Sequence, residues 1–306
     1  MLTKLSSATQ EVIIGDDGPT VLIGERINPT GKKKMAAALL EGDMEVVRRE
    51  AMAQVEAGAD MLDVNVGVAG LDQAVMLPQA VQTVMEAVEV PLCLDSNNPA
   101  ALAAGLKVYK GKALINSVTG EERSLGAILP LVKEYGTAVI ALTMDDEGIP
   151  TDVERRVAIA RKIIERAASL GIPKEDVIVD CLTMTAATDH LAPGTTLEAI
   201  RRVKAELGVN LTVGASNVSF GLPDRKIINV GSGVETSVIS LADQIIRLVK
   251  RGEVLKTPYE EGGLSRMCAD LTLASDLLGY RPKYSLSEGL RLTYERDPRF
   301  QPVPVS

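Results

Sequence analysis

Tryptophan is absent from this chain, aromatic residues amount to only 3%, and a single histidine, His190, serves all 306 residues. Platforms for stacking bases are therefore scarce, and histidine-based acid–base or zinc chemistry has almost nothing to work with. Cysteine is sparse as well: Cys93, Cys181 and Cys268 are odd in number, far apart and without a CxxC spacing. That excludes a disulfide framework or a zinc cluster as the organising element, and no bound metal is expected. The net charge of -8 argues against a general binder of nucleic acid or of anionic membranes, since such contacts are dominated by Lys and Arg. No apolar run approaches the roughly 18 residues of a membrane span. Residues 1–18 also lack a continuous apolar signal region. The expectation is a cytoplasmic protein with neither a membrane nor a nucleic acid as partner.

What is present is aliphatic. Hydrophobic residues make up 46% of the chain, and with so few aromatics Val, Ile, Leu, Ala and Met must do the packing, as parallel sheets prefer. Between residues 21 and 220 seven strand-like runs alternate with helical patterns: VLIGE, DMLDVN, PLCLDS, ALINSV, AVIALTM, DVIVDCL and LTVGAS. Between the first two, Asp43 is placed to cap a helix in which Val47, Ala51 and Val55 share a face and Gly58 supplies the stop. Between the fifth and sixth, Val153, Val157, Ala160 and Ile164 repeat that face before Gly171-Ile172-Pro173. Strand–helix alternation of this kind predicts a parallel sheet with right-handed crossovers. The chain length suits an α/β fold of the (β/α)8 type, about 250 residues, plus an appendage. The eighth unit is the irregular one: IINVG, residues 227–231, follows the seventh strand too closely for an ordinary crossover helix.

The ends of these runs carry the chemistry. Asp63-Val64-Asn65, Asp95-Ser96, Asn116-Ser117, Asp180-Cys181 and Ser216-Asn217-Val218-Ser219 all follow short apolar segments, where a parallel barrel collects the groups that grip a ligand. Carboxylates and amides at such a mouth suit a neutral heterocycle rich in hydrogen-bonding groups, such as a pterin, better than a metal ion or a phosphate chain.

At GERINPTG, LDVNVG, LCLDSN, INSVTGEE and GASNVSFGLPDR, the chain resembles the pterin-binding methyltransferases that use methyltetrahydrofolate and a corrinoid protein. The likeness covers residues 20–226 in motif order. It implies a methyltransferase that moves the N5-methyl group of methyltetrahydrofolate to the cobalt of a corrinoid (cobalamin-type) cofactor supplied by a partner protein, with N5 activated by hydrogen bonding or protonation. By the same resemblance Asp95, Asn116 and Asp180 match positions that hydrogen-bond the pterin edge, and Asn217 matches the residue beside N5. Asn217 and Asp180 are thus the expected catalytic residues, with Asp63, Asn65 and Glu25 as further contacts to the pterin. Simpler roles stand beside these. Asp63 and Asn65 also suit bracing of the mouth, and Asp95 an Asx turn before Asn97-Asn98-Pro99. Asn116, Asp180 and Asn217 suit capping, and Glu25 with Arg26 an ion pair at the rim. Dihydropteroate synthase shares the scaffold, but its usual loop is only echoed at Asn28-Pro29-Thr30, so the methyltransferase is preferred. A pterin-binding module without turnover is the alternative.

From residue 227 to 306 the character changes. NVGSGVETSVISLADQI, RMCAD and LLGYRPKYSLSEGLRLTYE resemble the C-terminal part of extended short-chain sugar-nucleotide epimerases and dehydratases, without the GxxGxxG opening or the Tyr-x-x-x-Lys pair that such enzymes use. The expected division is a pterin-binding barrel over 1–226 and an appended segment over 227–306 that packs on or completes it, or exchanges between subunits of a homodimer.

Overall fold

All seven apolar runs become strands of one parallel sheet, in the order in which they occur along the chain. The computed structural model describes residues 1–16, 18–187, 189–219, 232–250, 253, 268–269, 271–278 and 280–296. A hairpin of β1 (Leu2–Ser6) and β2 (Glu11–Gly15) comes first, then β3 (Ile23–Ile27), α1 (Lys33–Leu40), α2 (Glu45–Glu56) and β4 (Met61–Asn65). Next come α3 (Gln73–Ala87), β5 (Leu92–Asp95), α4 (Pro99–Val108), β6 (Leu114–Thr119) and α5 (Glu122–Tyr135). The series continues with β7 (Ala138–Leu142), α6 (Val153–Ser169), β8 (Val177–Asp180), α7 (Ala192–Leu207) and β9 (Asn210–Thr212). Chain contacts divide the molecule into Met1–Pro223 and Asp224–Ser306. In the second unit α8 (Val238–Val249), α9 (Thr272–Leu278) and α10 (Leu286–Arg296) are described. Ser237 caps α8 by accepting the Ser240 N–H at 3.1 Å. The proposed eighth strand, residues 227–231, lies outside the described residues. No helix among the described residues is long and apolar enough to cross a membrane.

Helix boundaries follow local chemistry. Asp152 caps α6 by accepting the Arg155 N–H at 2.8 Å, and Asn98 caps α4, whose first residue is Pro99, by accepting the Ala100 N–H at 3.0 Å. Asp43 differs slightly from expectation. Met44 occupies the cap position of α2, and Asp43 accepts the Glu45 N–H at 2.9 Å from one residue outside it.

Two-residue periodicity sorts every strand into an outer and an inner face. Leu62 and Val64 of β4, Leu92 and Leu94 of β5, Val139 and Ala141 of β7, and Val177 and Val179 of β8 join the buried layer under the helices. Met61, Cys93, Leu114, Ala138, Ile140 and Ile178 form a second, separate cluster around Leu5 of the hairpin. Residues from five successive strands close into one compact cluster with Leu5 only if the sheet curls, so the sheet is barrel-like and the hairpin contributes to its plug.

The hairpin is latched below the strands. Asn210, 3% exposed, donates to Thr3 Oγ1 and to Ile14 O, both at 2.9 Å. Thr3 Oγ1 donates to Glu175 O, and Ser6 N donates to Lys112 O at 3.0 Å. The Tyr109 hydroxyl donates to Ser6 O at 2.8 Å and accepts from Leu92 N at 3.1 Å; burial pushes its pKa up to about 12. Gly111 makes this approach feasible: it has φ +135°, and a Cβ there would lie 2.2 Å from Ser6 O. Gly111→Ala is expected to destabilise the fold by roughly 3 kcal/mol, from a left-handed backbone and a backbone clash together. The urea midpoint would report it, and an unchanged midpoint would show that the hairpin is not tightly seated.

The two edge strands are β3 and β9. Between them lies a cavity of about 920 Å³, lined by Ile23 and Glu25 on one side and Asn210, Leu211 and Thr212 on the other. It reaches Leu114 and Ile178 of the inner cluster.

Candidate functional site

Register decides which polar side chains meet. Across three neighbouring strands, Asn65 pairs with Asp95 and Asp95 with Asn116. Farther round, Leu142 pairs with Asp180 and Asp180 with Thr212. These positions lie on the strands' inner face at their C-terminal ends, the first three directly above the rung that contains Cys93 and Leu114 and Asp180 above the rung of Ile140 and Ile178. The curl therefore gathers one carboxylate–amide set on the β4–β6 side and one further carboxylate on β8.

Hydrogen bonds fix the first set. Asn65 Nδ2 donates to Asp95 Oδ2 at 2.8 Å, while Asn65 Oδ1 accepts the Gly67 N–H at 2.7 Å. With its amide held at both ends, Asn65 orients Asp95. Beneath them, Asp63 lies one rung lower, level with Cys93, and is only 4% exposed. Asn116 Nδ2 donates to Asp63 Oδ1 at 3.2 Å, so Asp63 braces Asn116 from below. Ser96 adds a brace that sequence reasoning did not single out, its hydroxyl donating to Gln73 Oε1 at 2.8 Å while accepting from Asn98 N.

Crowding of acids sets the electrostatics. Burial, and then the neighbouring Asp95, raise the Asp63 pKa. Burial likewise raises that of Asp95, with Glu25 adding to the effect and the Asn65 hydrogen bond opposing it. For Asp180, burial pushes the pKa up to about 6, against a hydrogen bond from Leu182 N and the charge of Arg156. Thr143 pins this strand end, its N–H and hydroxyl donating to Asp180 O at 3.1 and 3.2 Å.

Asn217 lies in a short 3-10 turn after β9, Ala215–Ser219, and is exposed. Gly214 leaves room for it: a Cβ there would come within 2.8 Å of Asn217 Nδ2. Glu25 and Arg26 do not pair with each other as the sequence suggested. Arg26 reaches back to Glu50 at 2.9 Å, because Glu50 of α2 flanks β3. Glu25 instead accepts from Ser216 Oγ at 2.9 Å, tying the end of β3 to the turn that carries Asn217. Glu25 is therefore a tether between the two edge strands.

Fold and site together define a parallel α/β half-barrel whose strand ends gather carboxylates and amides on the inner face. Comparison with known proteins narrows this. A model of the pterin binding enzyme family matches residues 24–240, running past the change of character read near residue 226. The methylcorrinoid:tetrahydrofolate methyltransferase of Eubacterium limosum is 35% identical over 217 residues, which cover 68% of this chain and 78% of that protein. The methionine synthase of Mycobacterium tuberculosis (strain ATCC 25618 / H37Rv) is 33% identical over 271 residues, 84% of this chain but only 23% of that protein. Among solved structures, a dihydropteroate synthase from Xanthomonas albilineans superposes with a TM-score of 0.48 at 21% identity, over 71% of this chain and 78% of that one. The chain belongs to the pterin-binding enzyme family, within its methyltransferase branch.

Proposed function

We propose that this enzyme transfers the N5-methyl group of methyltetrahydrofolate to the cobalt of a corrinoid carried by a partner protein. The observation that carries this reading is the gathering of Asn65, Asp95 and Asn116 on one rung of the inner strand ends, with Asp180 one rung farther along on β8. A pterin's amino-pyrimidinone edge offers adjacent N–H donors beside acceptors, which a carboxylate next to an amide complements. In this reading Asp95 receives the amino and ring N–H groups, Asn116 supplies both a donor and an acceptor, and Asp180 meets the other side of the ring. Asn65 and Asp63 act on the pterin through Asp95 and Asn116. Glu25 holds the Asn217 turn in place through Ser216.

Loss of a methyl group from a tertiary amine is slow because the departing nitrogen takes on negative charge. The corrinoid supplies the nucleophile when the partner is docked. The chain's own residues orient the pterin and stabilise the charge on N5, through donation by the Asn217 amide and through Asp180, which a pKa of about 6 leaves partly protonated near neutral pH. The names of the relatives support this activity.

Calorimetric titration with methyltetrahydrofolate, paired with spectroscopic detection of transfer to free cob(I)alamin, tests it. Wild-type protein is expected to bind and to transfer. Asn217→Ala should lower the transfer rate about 100-fold, the size of effect seen when one donor to a developing charge is removed, and leave folate affinity within a few-fold. An unchanged rate would remove Asn217 from N5. Binding without any transfer would make the chain a folate-binding module.

A further inference from the structure

Arg156 is the largest fully buried side chain of the molecule's described residues, 1% exposed, yet it lies in a helix otherwise edged with solvent-facing charges. A buried guanidinium is costly unless its donors are met. Here the four acceptors within hydrogen-bonding distance are all uncharged. Nε donates to Pro150 O at 2.8 Å, and Nη1 lies 2.7 Å from Cys181 O, 3.0 Å from Leu182 O and 3.2 Å from Thr196 Oγ1. Two of these carbonyls belong to the residues that immediately follow Asp180.

The segment they belong to is strained. Leu182 has φ +58°, a left-handed conformation that a leucine adopts reluctantly. The peptide between Cys181 and Leu182 is held from both sides, its carbonyl by Arg156 at 2.7 Å and its N–H donating to Asp180 Oδ1 at 2.7 Å. Thr196 reinforces the lock from α7, its hydroxyl 3.0 Å from Leu182 O and 3.1 Å from Ala192 O. Without the guanidinium, the buried Cys181 carbonyl would lose its donor and Thr196 alone would hold Leu182 O, leaving less to offset the strain of the turn.

We propose that Arg156 is a positioning residue for the site: by gripping the Cys181 and Leu182 carbonyls it holds the Cys181–Leu182 peptide in place, so that the Leu182 N–H fixes the Asp180 carboxyl at the barrel mouth. The proposal rests on the assignment of Asp180 to the pterin site. A purely structural role, filling space under β8, makes different predictions.

The test follows the Asp180 carboxyl itself by carbon-13 NMR in protein labelled at aspartate, its resonance assigned from the spectrum of Asp180→Asn. Arg156→Met removes both the lock and a positive charge, and the Asp180 titration midpoint is expected to rise by about one pH unit, with methyl transfer slowed roughly 30-fold. Adding Leu182→Gly to Arg156→Met lets the turn adopt its conformation without strain, and both the midpoint and the rate should return at least about half-way. Thr196→Val, which keeps the charge and nearly the shape, should move both in the same direction by about a third as much, and it serves as the readout should Arg156→Met not fold. No shift of the midpoint in a folded variant, or a shift that Leu182→Gly leaves untouched, would overturn the proposal. The titration needs no turnover. If Asp180→Asn transfers methyl groups at the wild-type rate while the midpoint still moves, the assignment of Asp180 fails and the positioning by Arg156 stands.

Discussion

Asp180→Asn is expected to make the protein more stable and less active at once. The carboxyl of Asp180 is raised by burial from 3.8 to about 6. A carboxyl whose folded-state pKa lies above its unfolded value favours the folded state below the unfolded pKa, and that advantage disappears as pH climbs through the folded pKa. Above pH 6, therefore, the native state carries a buried charge that the unfolded chain carries in water. A shift of this size corresponds to about 3 kcal/mol. The asparagine keeps the hydrogen bond from Leu182 N and sheds the charge, so chemical denaturation at pH 8 should show a gain approaching that value. At pH 3.5 it should show almost none. Methyl transfer, in contrast, should fall about 100-fold, because an amide cannot pass a proton towards N5. Equal stability of the two proteins at pH 8 would mean that Asp180 is better solvated than its surroundings imply.

Loss of folate binding is the expected result of Asp95→Asn. In the proposed complex its carboxylate receives two N–H groups of the pterin, and charge-assisted bonds of this kind contribute about 1.5–3 kcal/mol each. An amide turns one acceptor into a donor facing another donor, so calorimetry should show affinity reduced on the order of 100-fold or more. Stability should not fall with it. Burial raises the Asp95 pKa and Glu25 adds to this, so neutralising the side chain relieves crowding with Asp63 and Glu25. A variant that melts below wild type and fails to bind would show only that the mouth had collapsed. One that melts at or above wild type and still binds normally would take Asp95 out of the pterin contact.

Much of this was legible in the sequence because parallel strands buried on both faces leave a plain mark: short aliphatic runs ending in Asp or Asn. Inward and outward alternation at β4, β5, β6 and β8 then carries Asn65, Asp95, Asn116 and Asp180 to one rim without further help. Depth was harder to read. Asp63 and Asn65 are two residues apart on one face, yet the register places Asp63 a rung down, where it braces rather than greets a ligand. The hairpin escaped notice because its inward positions are Thr3 and Leu5, one of them polar, so no apolar alternation announces a strand. Arg156 escaped because it stands beside another arginine amid charged residues. A signal was present, however: Arg156, Ala160, Ile163 and Ala167 lie on one helical stripe, and all are buried.

The hairpin that plugs the barrel also sets an order of events. Neighbours in the sheet are neighbours in sequence, so each β/α unit has its partner as soon as the next has been made. Thr3, however, finds Glu175 only across 172 positions, and Ile14 finds Asn210 only across 196. Although it precedes β3–β9 in the chain, the hairpin is thus among the last elements of this unit to reach its place, and it arrives in a cup that the rest of the sheet has already shaped.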